Sequence, residues 1–298
     1  MTSEITLFVN PTAGRGRGAR AALSAASALR AAGFSVRTVI GRSAQDALTR
    51  AREAVAGGTG ALVAVGGDGM AHLALQAVAG TRTPLGLVAV GTGNDFARTL
   101  GLPVRDPEAS GRQIAAALKD KGARLRDVDL GRVGGTWFGT VLASGFDSRV
   151  NDRGNRMRWP TGRARYDLAI LAELAALGPV PYRITLDGGE VREVEATLVA
   201  VGNGTSYGGG MRICADADLG DGLFDITVVG PCSRTTLLTV FPKVYRGTHL
   251  GHPKVSVHRA VRVELAAPGV TGYADGEPLG PLPLAAECVP AAVRVAVP

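Results

Sequence analysis

The stretch "ALVAVGGDGMAHLALQAV", residues Ala61–Val78, decides the fold of this chain. It begins with an uninterrupted apolar run, which is typical of a strand buried on both faces of a parallel sheet. The turn Gly66–Gly69 follows, and apolar residues then recur at helical spacing. Glycines between a strand and a helix N-terminus usually bind phosphate groups. The negatively charged Asp68 in the middle of such a turn therefore needs an explanation.

The same order of strand, turn and helix extends along the chain on both sides of this stretch. Apolar runs predict further strands at "ITLFVN", "FSVRTVI" and "PLGLVAV", and helices are predicted at "ARAALSAASALRAAG", "AQDALTRAREAVAGG" and Pro107–Lys119. This pattern predicts a doubly wound α/β domain that binds its ligand at the carboxyl ends of the strands.

The pattern changes after "RLRDVDLGRV". Short segments with period-two alternation then predict strands separated by glycine and proline turns. These segments are "WFGTVLAS", "YRITLDG", "EATLVAVGN", "FDITVVG", "RVELAA", "PLAAECV" and "VRVAV", with helices predicted at "RARYDLAILAELAAL" and "RTTLLTVFPKVYRG". We therefore predict an α/β nucleotide-binding domain over residues 1–127 and a mostly antiparallel β domain over residues 128–298.

The composition limits the cellular setting. Of the 298 residues, 46% are hydrophobic and only 5% are aromatic, which predicts a large aliphatic core. No run of about 18 apolar residues occurs, so no membrane-spanning helix is expected. The N-terminus "MTSEITLFVN" lacks the basic region of a signal peptide, and the three widely spaced cysteines favour a reduced compartment. These features predict a cytoplasmic protein.

A second glycine-rich segment, "NPTAGRGRGA", offers a rival nucleotide site. Gly14, Gly16 and Ala19 match the dinucleotide fingerprint G-x-G-x-x-[GA] between a predicted strand and a predicted helix. That fingerprint requires an acid at the end of the next strand, whereas "FSVRTVIGR" contains none. Arg37 could hold a 2′-phosphate instead, but a Rossmann dehydrogenase is disfavoured, and these glycines could equally form a surface turn.

A third glycine turn, "VGTGNDFAR", follows the fourth predicted strand and contains Asp95. Three such turns at one edge of a sheet could surround a triphosphate. Carboxylates repel phosphates unless a cation lies between them, so Asp68 and Asp95 predict Mg²⁺, held directly or through water. Two alternatives stay open: Asp68 could accept a hydrogen bond from a ribose hydroxyl, and either aspartate could be a helix N-cap.

"VGGDGM" together with "VGTGNDFAR" resembles the diacylglycerol kinase and sphingosine kinase superfamily, and in particular its soluble bacterial lipid kinases. The resemblance continues through "NPTAG", "RYDLAIL", "VGNGTSYGGGMRI", "ADADLGDGLFDITVV", "KVYRGTHLGHPKV" and "YADGEPLG". It implies an α/β nucleotide domain followed by an antiparallel β-sandwich, with ATP and the lipid in the cleft between them. NAD kinases share the GGDG sequence, but "GTGNDFAR" and "YADGEPLG" favour the lipid kinases.

The resemblance implies ATP and Mg²⁺ as cofactors and a set of site residues. Asp68 and Asp95 would act near the catalytic Mg²⁺. The Asp275-Gly276-Glu277 turn would supply the proton acceptor, with Glu277 favoured as the base and Asp275 orienting it or sharing the role. From the residues alone, this turn could be an ordinary exposed hairpin. The residues that would line the ATP site are Asn10, Pro11, Thr12, Ala13, Gly14, Gly66, Gly67, Asp68, Gly69, Met70, Ala71, His72, Thr92, Gly93 and Asn94.

One position departs from the family pattern. The family often has a threonine at the end of the second strand that contacts the nucleotide, and the corresponding residue here is Gly41. One nucleotide contact is therefore missing at this position. Thr38 or Ser43 could replace it.

The segment "CADADLGDGLFD" is acidic and superficially resembles a calcium loop. It does not match the EF-hand template, because the glycine falls one residue late, at Gly222, and no glutamate closes the loop. A solvated acidic turn is the simplest interpretation. The family resemblance instead implies a structural Mg²⁺ bound by the carboxylate of Asp221 and by oxygens of Asp218 and Leu223.

The net charge of +7 predicts anionic partners. Between Arg149 and Arg165 there are six arginines against one acid, Asp152, and Met157 and Trp159 lie among them. Such a run suits docking on an anionic membrane surface, with nucleic acid binding or simple solvation as alternatives. A lipid substrate favours the membrane. We therefore expect peripheral membrane association and no nucleic acid partner.

The sequence predicts an ATP-dependent lipid kinase, with diacylglycerol as the favoured acceptor and phosphatidate as the product. A sphingoid base, ceramide or another lipid alcohol is the alternative acceptor. NAD kinase is an alternative function, and so is a non-catalytic regulator that binds nucleotide or lipid. The regulator is disfavoured because Asp68, Asp95 and Glu277 are all present. The oligomeric state is left open, with a homodimer as one alternative.

Overall fold

A computed structural model of the chain describes residues 4–10, 13–120, 123–146, 153 and 178–298. In its first part, strands and helices alternate as the sequence predicts. These elements are β1 (Glu4–Val9), α1 (Ala13–Ala31), β2 (Ser35–Ile40), α2 (Ala44–Ala56), β3 (Leu62–Gly66), α3 (Asp68–Val78), β4 (Leu85–Ala89), α4 (Asp95–Thr99) and α5 (Pro107–Lys119).

The strands β1–β4 form a parallel sheet in the order β2-β1-β3-β4. The helices α1 and α5 pack in one core cluster, and α2 and α3 pack in another on the opposite face. The strands β3 and β4 are buried along their whole length, which explains their uninterrupted apolar sequences. The doubly wound domain is thus confirmed. Its strand order reverses between β1 and β3, and α/β sheets bind ligands at such a point.

The described residues of the second part lie mostly in strands. They are β5 (Leu125–Val133), β6 (Thr136–Phe138), β7 (Val141–Gly145), β8 (Val180–Leu186), β9 (Arg192–Ala196), β10 (Leu198–Gly202), β11 (Phe224–Val229), β12 (Val255–Ala260), β13 (Arg262–Ala266), β14 (Thr271–Ala274), β15 (Glu277–Pro281) and β16 (Leu284–Ala296), with helix α6 (Arg234–Val244) between β11 and β12.

Two sheets of this second part face each other across an aliphatic core. One is antiparallel, in the order β12-β11-β10-β7-β14-β15. The other contains β8, β9, β13 and β16. Phe138 stacks on Phe224 within the core between them. The predicted β-sandwich is therefore confirmed.

The long strand β16 joins the two parts of the molecule. It pairs antiparallel with β13 near its start and parallel with β4 at Val295, so that ten strands form one mixed sheet. The predicted strands "PLAAECV" and "VRVAV" both lie in β16, separated by an irregularity between Val289 and Val293. β5 also pairs with β16, and the predicted domain boundary at residue 127 falls inside β5.

Some predicted features differ from the structure or lie outside the described residues. The helix α1 begins at Ala13, so the glycines of "NPTAGRGRGA" lie in its first turns rather than in a loop. The arginines between these glycines and the alanines that follow them are strong helix formers. The predicted helix "RARYDLAILAELAAL" lies outside the described residues, as does the run Arg149–Arg165 apart from Arg153. In the described parts of the chain, no helix is long and apolar enough to cross a bilayer.

Candidate active site

The turns after β3 and β4 lie against each other at the carboxyl edge of the sheet. A Cβ atom at Gly91 would lie 2.4 Å from the Cα of Gly67, so these turns approach so closely only because both residues are glycines. Within the second turn, Asn94 itself has a left-handed backbone conformation with a φ of 58°. Its side chain bonds both the N–H and the carbonyl group of Gly91. Two of the predicted glycine turns therefore form one unit.

Asp68 reaches from the first turn to the second. It is the first residue of α3, which has Gly67 as its N-cap. The Asp68 Oδ2 accepts a hydrogen bond from the Asn94 N–H at 2.7 Å, and its Oδ1 accepts one from the Asp95 N–H at 2.6 Å. These N–H groups open α4, so the carboxylate of Asp68 stabilises the start of a neighbouring helix rather than capping its own.

Asp95 is buried and is held by a loop of the second part of the molecule. The Gly209 N–H donates to its Oδ2 at 2.8 Å, and the Gly210 N–H donates to its Oδ1 at 2.7 Å. Both glycines have a positive φ, 85° and 108°, which other residues rarely adopt. The sequence analysis did not place these two residues in the site. The three consecutive glycines in "VGNGTSYGGGMRI" were the signal that could have identified them.

The carboxylates of Asp68 and Asp95 face each other beside Gly93. A Cβ atom at Gly93 would lie 2.6 Å from Asp68 Oδ2 and 3.1 Å from Asp95 Oδ2. Burial and then the charge of Asp68 raise the pKa of Asp95 to about 6, against the opposing hydrogen bonds from Gly209 and Gly210. Burial also raises the pKa of Asp68. The ionised pair therefore repels itself, and a nearby cation would relieve that repulsion.

These two residues fit a hydrated Mg²⁺ that arrives with a nucleotide. All four of their carboxylate oxygens already accept backbone hydrogen bonds, and each can still accept one from water. No group of three or more histidine, cysteine, aspartate or glutamate side chains in the described ranges is arranged to hold a metal ion. Mg²⁺ commonly keeps several waters and takes phosphate oxygens as further ligands, so it does not require such a group.

The Asp275-Gly276 turn closes the β14–β15 hairpin. The φ values of 52° and 86° at its two residues are those of a type I′ turn, for which Asp-Gly is a common sequence. In an ordinary exposed hairpin the aspartate would be solvated, but the Asp275 side chain is only 7% exposed. Its two oxygens accept hydrogen bonds from the N–H groups of Gly139 and Thr140, both at 2.8 Å. The turn is therefore anchored between β6 and β7.

His72 lies beside Asp275, with its Nδ1 3.5 Å from Asp275 Oδ2. Burial raises the pKa of Asp275, but His72, Thr140 and Gly139 together outweigh burial and bring the pKa below its ordinary value. Asp275 is therefore ionised at neutral pH. The nucleotide contact predicted for His72 stays a prediction, while the structure gives this residue a contact with the carboxylate turn.

Glu277 is accessible, in contrast to Asp275. It begins β15 and is exposed to solvent. Its Oε1 lies 3.6 Å from the position of a Cβ atom at Gly69, the last glycine of the GGDG turn. A free carboxylate of the β-sandwich therefore stands next to the first glycine turn of the α/β domain. The structure brings Asp68, Asp95, Asp275 and Glu277 to the same edge of the sheet.

The other predicted nucleotide residues lie at or near these turns. The Asn10 N–H follows β1 and donates to the carbonyl group of Val65 at 3.2 Å. Ala13 and Gly14 begin α1, whereas Pro11 and Thr12 lie outside the described residues. Of the remaining residues, Gly66 ends β3, Met70 is buried, Ala71 is partly buried, and Thr92 is exposed.

Gly41 has no room for the threonine that the family often has there. A Cβ atom at Gly41 would lie 2.3 Å from the Cβ of Ala47 in α2. Of the two predicted substitutes for the missing contact, Ser43 is the N-cap of α2, and its hydroxyl oxygen accepts a hydrogen bond from the Asp46 N–H at 3.2 Å. Thr38 lies exposed in β2, the edge strand of the sheet.

Arginines neutralise the acidic turn before β11. Arg126 donates to Asp218 Oδ1 at 3.1 Å, and Arg259 pairs with Asp221. The Leu223 N–H donates to Asp221 Oδ1 at 3.0 Å. These contacts fit a turn held by guanidinium groups and do not fit an additional divalent cation. The structural Mg²⁺ at this turn stays a prediction without support in the geometry.

Two buried polar residues that the sequence analysis missed, Asp129 and Asn203, hold the backbone segments that carry the site. The Asp129 carboxylate accepts hydrogen bonds from the Gly222 N–H at 2.7 Å and the Ala291 N–H at 2.8 Å. The Asn203 amide group donates to the carbonyl groups of Asp129 and Gly139, at 2.8 Å and 2.9 Å. This network positions Gly139, which in turn bonds Asp275. No local sequence pattern indicates it.

The site combines glycine turns at the edge of an α/β sheet, two acids suited to a metal–phosphate complex and a carboxylate turn from a second domain. This combination is typical of a two-domain kinase. The family model described as "Diacylglycerol kinase catalytic domain" matches residues 4–133. The one described as "YegS C-terminal NAD kinase beta sandwich-like domain" matches residues 140–297.

Individual relatives agree with these matches. The chain is 45% identical over 297 residues to a protein of Mycobacterium tuberculosis named diacylglycerol kinase, and the alignment covers 98% of this chain and 94% of that protein. It is 33% identical over 279 residues to a probable lipid kinase YegS-like protein of Pseudomonas fluorescens, covering 92% and 90%. The crystal structure of a putative diacylglycerol kinase from Bacillus anthracis shares the fold, with a TM-score of 0.80 at 24% identity over 99% of this chain and 95% of that one.

This chain belongs to the diacylglycerol kinase and YegS-like lipid kinase family. The resemblance read from "VGGDGM" and "VGTGNDFAR" is therefore confirmed.

Proposed function

We propose that this protein transfers the γ-phosphate of ATP to the hydroxyl group of diacylglycerol, which yields phosphatidate. One observation carries the proposal: the accessible carboxylate of Glu277 lies beside the glycine turn, with its Oε1 3.6 Å from a Cβ position at Gly69. An attacking hydroxyl group loses its proton during phosphoryl transfer, so a base must stand close to the bound phosphates.

In this proposal the residues of the site have separate roles. The turns Gly66–Gly69 and Gly91–Asn94 offer backbone N–H groups to phosphate oxygens. When bound with ATP, Mg²⁺ supplies positive charge that neutralises the transferred phosphoryl group. Asp68 and Asp95 accept hydrogen bonds from the water around the bound nucleotide. Glu277 accepts the proton of the lipid hydroxyl group.

Asp275 is better suited to orientation than to proton transfer. Both of its oxygens accept backbone hydrogen bonds from the β6–β7 turn, and its lowered pKa makes it a weak base. It fixes the hairpin turn from which Glu277 projects. The division of labour between these two carboxylates therefore follows from their different surroundings.

The name of the relative from Mycobacterium tuberculosis supports diacylglycerol over a sphingoid base, ceramide or NAD as the acceptor. The lipid would be reached at a membrane surface. Docking of the run Arg149–Arg165 on anionic lipid is part of this proposal, and it is supported by the six arginines of that run.

The direct test is transfer of label from γ-labelled ATP with Mg²⁺ in mixed micelles. Diacylglycerol, sphingosine, ceramide and soluble NAD should be offered in parallel. We expect label in diacylglycerol. Label confined to another lipid would replace the acceptor, and label in NAD alone would replace the function with NAD kinase. Bound ATP without transfer to any acceptor would favour a regulator.

A further inference from the structure

One side of helix α3 contacts three other parts of the molecule. Asp68, His72 and Gln76 follow one another at a spacing of four residues, so they lie on the same side of the helix. Asp68 bonds the turn after β4, and His72 lies beside Asp275. Gln76 bonds β6. This side of α3 therefore joins the nucleotide turns to the second part of the molecule.

Gln76 bonds both backbone groups of Trp137 in β6. Its Oε1 accepts a hydrogen bond from the Trp137 N–H at 2.9 Å, and its Nε2 donates to the Trp137 carbonyl group at 2.8 Å. The same Nε2 also donates to the carbonyl group of His72 at 3.0 Å, within α3. Within the described residues, β6 is three residues long and pairs with β5 alone. The side chain of Gln76 therefore takes the place of a neighbouring strand at the open edge of β6.

The turn that holds Asp275 follows β6 directly. Its residues Gly139 and Thr140 donate their N–H groups to the Asp275 carboxylate. Gly139 is two residues from Trp137, a separation of at most about 7 Å. It also lies against α3, because a Cβ atom at Gly139 would be 3.0 Å from Leu75 Cδ1. The position of the β14–β15 hairpin turn therefore depends on α3.

Gln76 is a stronger link between α3 and this turn than His72. The His72 Nδ1 lies 3.5 Å from Asp275 Oδ2, beyond the usual length of a hydrogen bond, whereas both bonds from Gln76 to Trp137 have a normal length. Gln76 also lies eight residues after Asp68, about 12 Å along the helix axis. It is therefore too far away to contact phosphates bound at the glycine turn.

We propose that Gln76 is a positioning residue for phosphoryl transfer. Gln76 holds β6, the turn after β6 supplies the N–H groups that bind Asp275, and Asp275 fixes the turn from which Glu277 projects. A displacement of about 1 Å caused by a distant mutation can lower a rate 10²-fold, so a remote hydrogen bond of this kind affects the reaction. The inference rests on the proposed function, because it takes Glu277 as the base.

The experiment compares two glutamines that have similar surroundings. Gln76→Met removes both hydrogen bonds to Trp137 and keeps the length of the side chain. Gln113→Met is the matched control, because Gln113 is also partly buried and donates to the carbonyl group of Ala296 at 2.8 Å. Its helix α5 packs on the face of the sheet opposite α3. Urea unfolding verifies that both variants fold. Initial rates with ATP, Mg²⁺ and a short-chain diacylglycerol give kcat and KM.

We expect Gln76→Met to lower kcat about 10- to 100-fold and to leave the KM for ATP unchanged, because the glycine turns keep their structure. Gln113→Met should keep both constants. An equal loss of kcat in the two variants would show that lower stability alone slows the enzyme, which overturns the inference. An unchanged kcat in Gln76→Met overturns it as well, and so does a rise in the KM for ATP alone.

A double variant separates this inference from the proposed function. In the Glu277→Gln background, Gln76→Met should cause almost no further loss of kcat, because the position of an absent base no longer matters. Losses that multiply would show that Gln76 acts elsewhere and would overturn the inference. A full rate of Glu277→Gln contradicts the proposed function and this inference with it. A slow Glu277→Gln beside a fully active Gln76→Met overturns this inference alone.

Hydrogen exchange tests the link from Gln76 to Asp275 without any substrate. The N–H groups of Gly139 and Thr140 should exchange faster in Gln76→Met than in the unmodified protein, because the segment that carries them loses two hydrogen bonds. Gln113→Met should leave their exchange unchanged. Equal exchange in Gln76→Met and the unmodified protein would overturn the inference, whatever the rates of phosphoryl transfer.

Discussion

At the scale of single residues, hydrogen bonding separates two carboxylates that are neighbours in the chain. Asp275 is buried and accepts hydrogen bonds from Gly139 and Thr140, whereas Glu277 is exposed. We predict that Asp275→Asn lowers the free energy of unfolding by about 1–3 kcal/mol, because an amide cannot accept all of these hydrogen bonds.

Glu277→Gln should change stability by less than about 0.5 kcal/mol, as surface substitutions usually do. It should nevertheless lower kcat by about 10²–10⁴-fold, the usual contribution of a general base. Urea unfolding and steady-state kinetics on both variants measure the contrast. Equal loss of stability in the two variants would contradict the separate roles.

The raised pKa of Asp95 predicts a dependence on pH. Between the ordinary value of 3.8 and about 6, the folded protein holds a proton that the unfolded chain has released. Without metal, stability should therefore fall as the pH rises through this range, and Asp95→Asn should flatten the fall. Thermal unfolding of both proteins from pH 4 to pH 7 measures it.

Ionisation of Asp95 should also affect the proposed catalysis. It lowers stability as the pH rises, but it should raise kcat/KM. The ionised form of Asp95 is the one that suits a metal–nucleotide complex, so kcat/KM should fall as the pH drops below about 6. A rate that stays constant down to pH 5 would show that Asp95 need not be ionised.

Gly41 offers a test of packing at one residue. Gly41→Thr should lower the free energy of unfolding by about 1–3 kcal/mol, because the new side chain overlaps Ala47. Gly135→Thr is the matched control, since nothing lies within 4 Å of a Cβ atom there, and its cost should stay within about 0.5 kcal/mol. Equal costs in urea unfolding would show that α2 can move to accept the threonine.

At the scale of elements, the loop Gly208–Gly210 connects the β-sandwich to the nucleotide turns. Gly210→Ala strains a φ of 108° and should draw the N–H group away from Asp95. The pKa of Asp95 then rises further, so the acid limb of kcat/KM should move to higher pH. Gly269→Ala strains a φ of 67° at an open position and should cost stability alone. A pH profile displaced equally in both variants would contradict this link.

The sequence predicts elements well where their signal is local. The apolar run and glycine turn of "ALVAVGGDG" are enough to predict β3 and the turn before α3, and the helix over Pro107–Lys119 has the predicted bounds. The strands "PLAAECV" and "VRVAV" were predicted separately because an irregularity interrupts their alternation. Their union in β16 depends on pairing with β5, β13 and β4, and the sequence of one strand does not reveal its partners.

The sequence predicts the acidic residues of the candidate site, but it does not predict the hydrogen-bond partners that hold their carboxylates. Asp68, Asp95, Asp275 and Glu277 stand in recognisable motifs, so the sequence analysis names them. Their hydrogen-bond partners are backbone N–H groups, which every residue except proline carries. Only the fold selects Gly139 for Asp275, or Gly209 for Asp95, from all the others.

At the scale of the whole molecule, the mixed sheet couples the two parts. Val295 of β16 is fully buried and pairs with Leu85 of β4. We predict one cooperative unfolding transition, with equal calorimetric and van't Hoff enthalpies. Val295→Ala should lower the Tm of this single transition, whereas Val257→Ala, at a position 38% exposed, should change it little. Two separate transitions would show that the parts fold independently.

The position of β16 near the end of the sequence also affects how the protein folds during translation. β4 ends at residue 89 and its neighbour β16 begins at residue 284, 195 positions later. At about 5–20 residues per second, a ribosome needs about 10–40 s to make the chain between them. Throughout that interval the β4 edge of the nascent α/β domain lacks its partner strand β16, and other strands can join it there. A chaperone that shields this edge during translation would therefore raise the yield of folded protein more than one added after release.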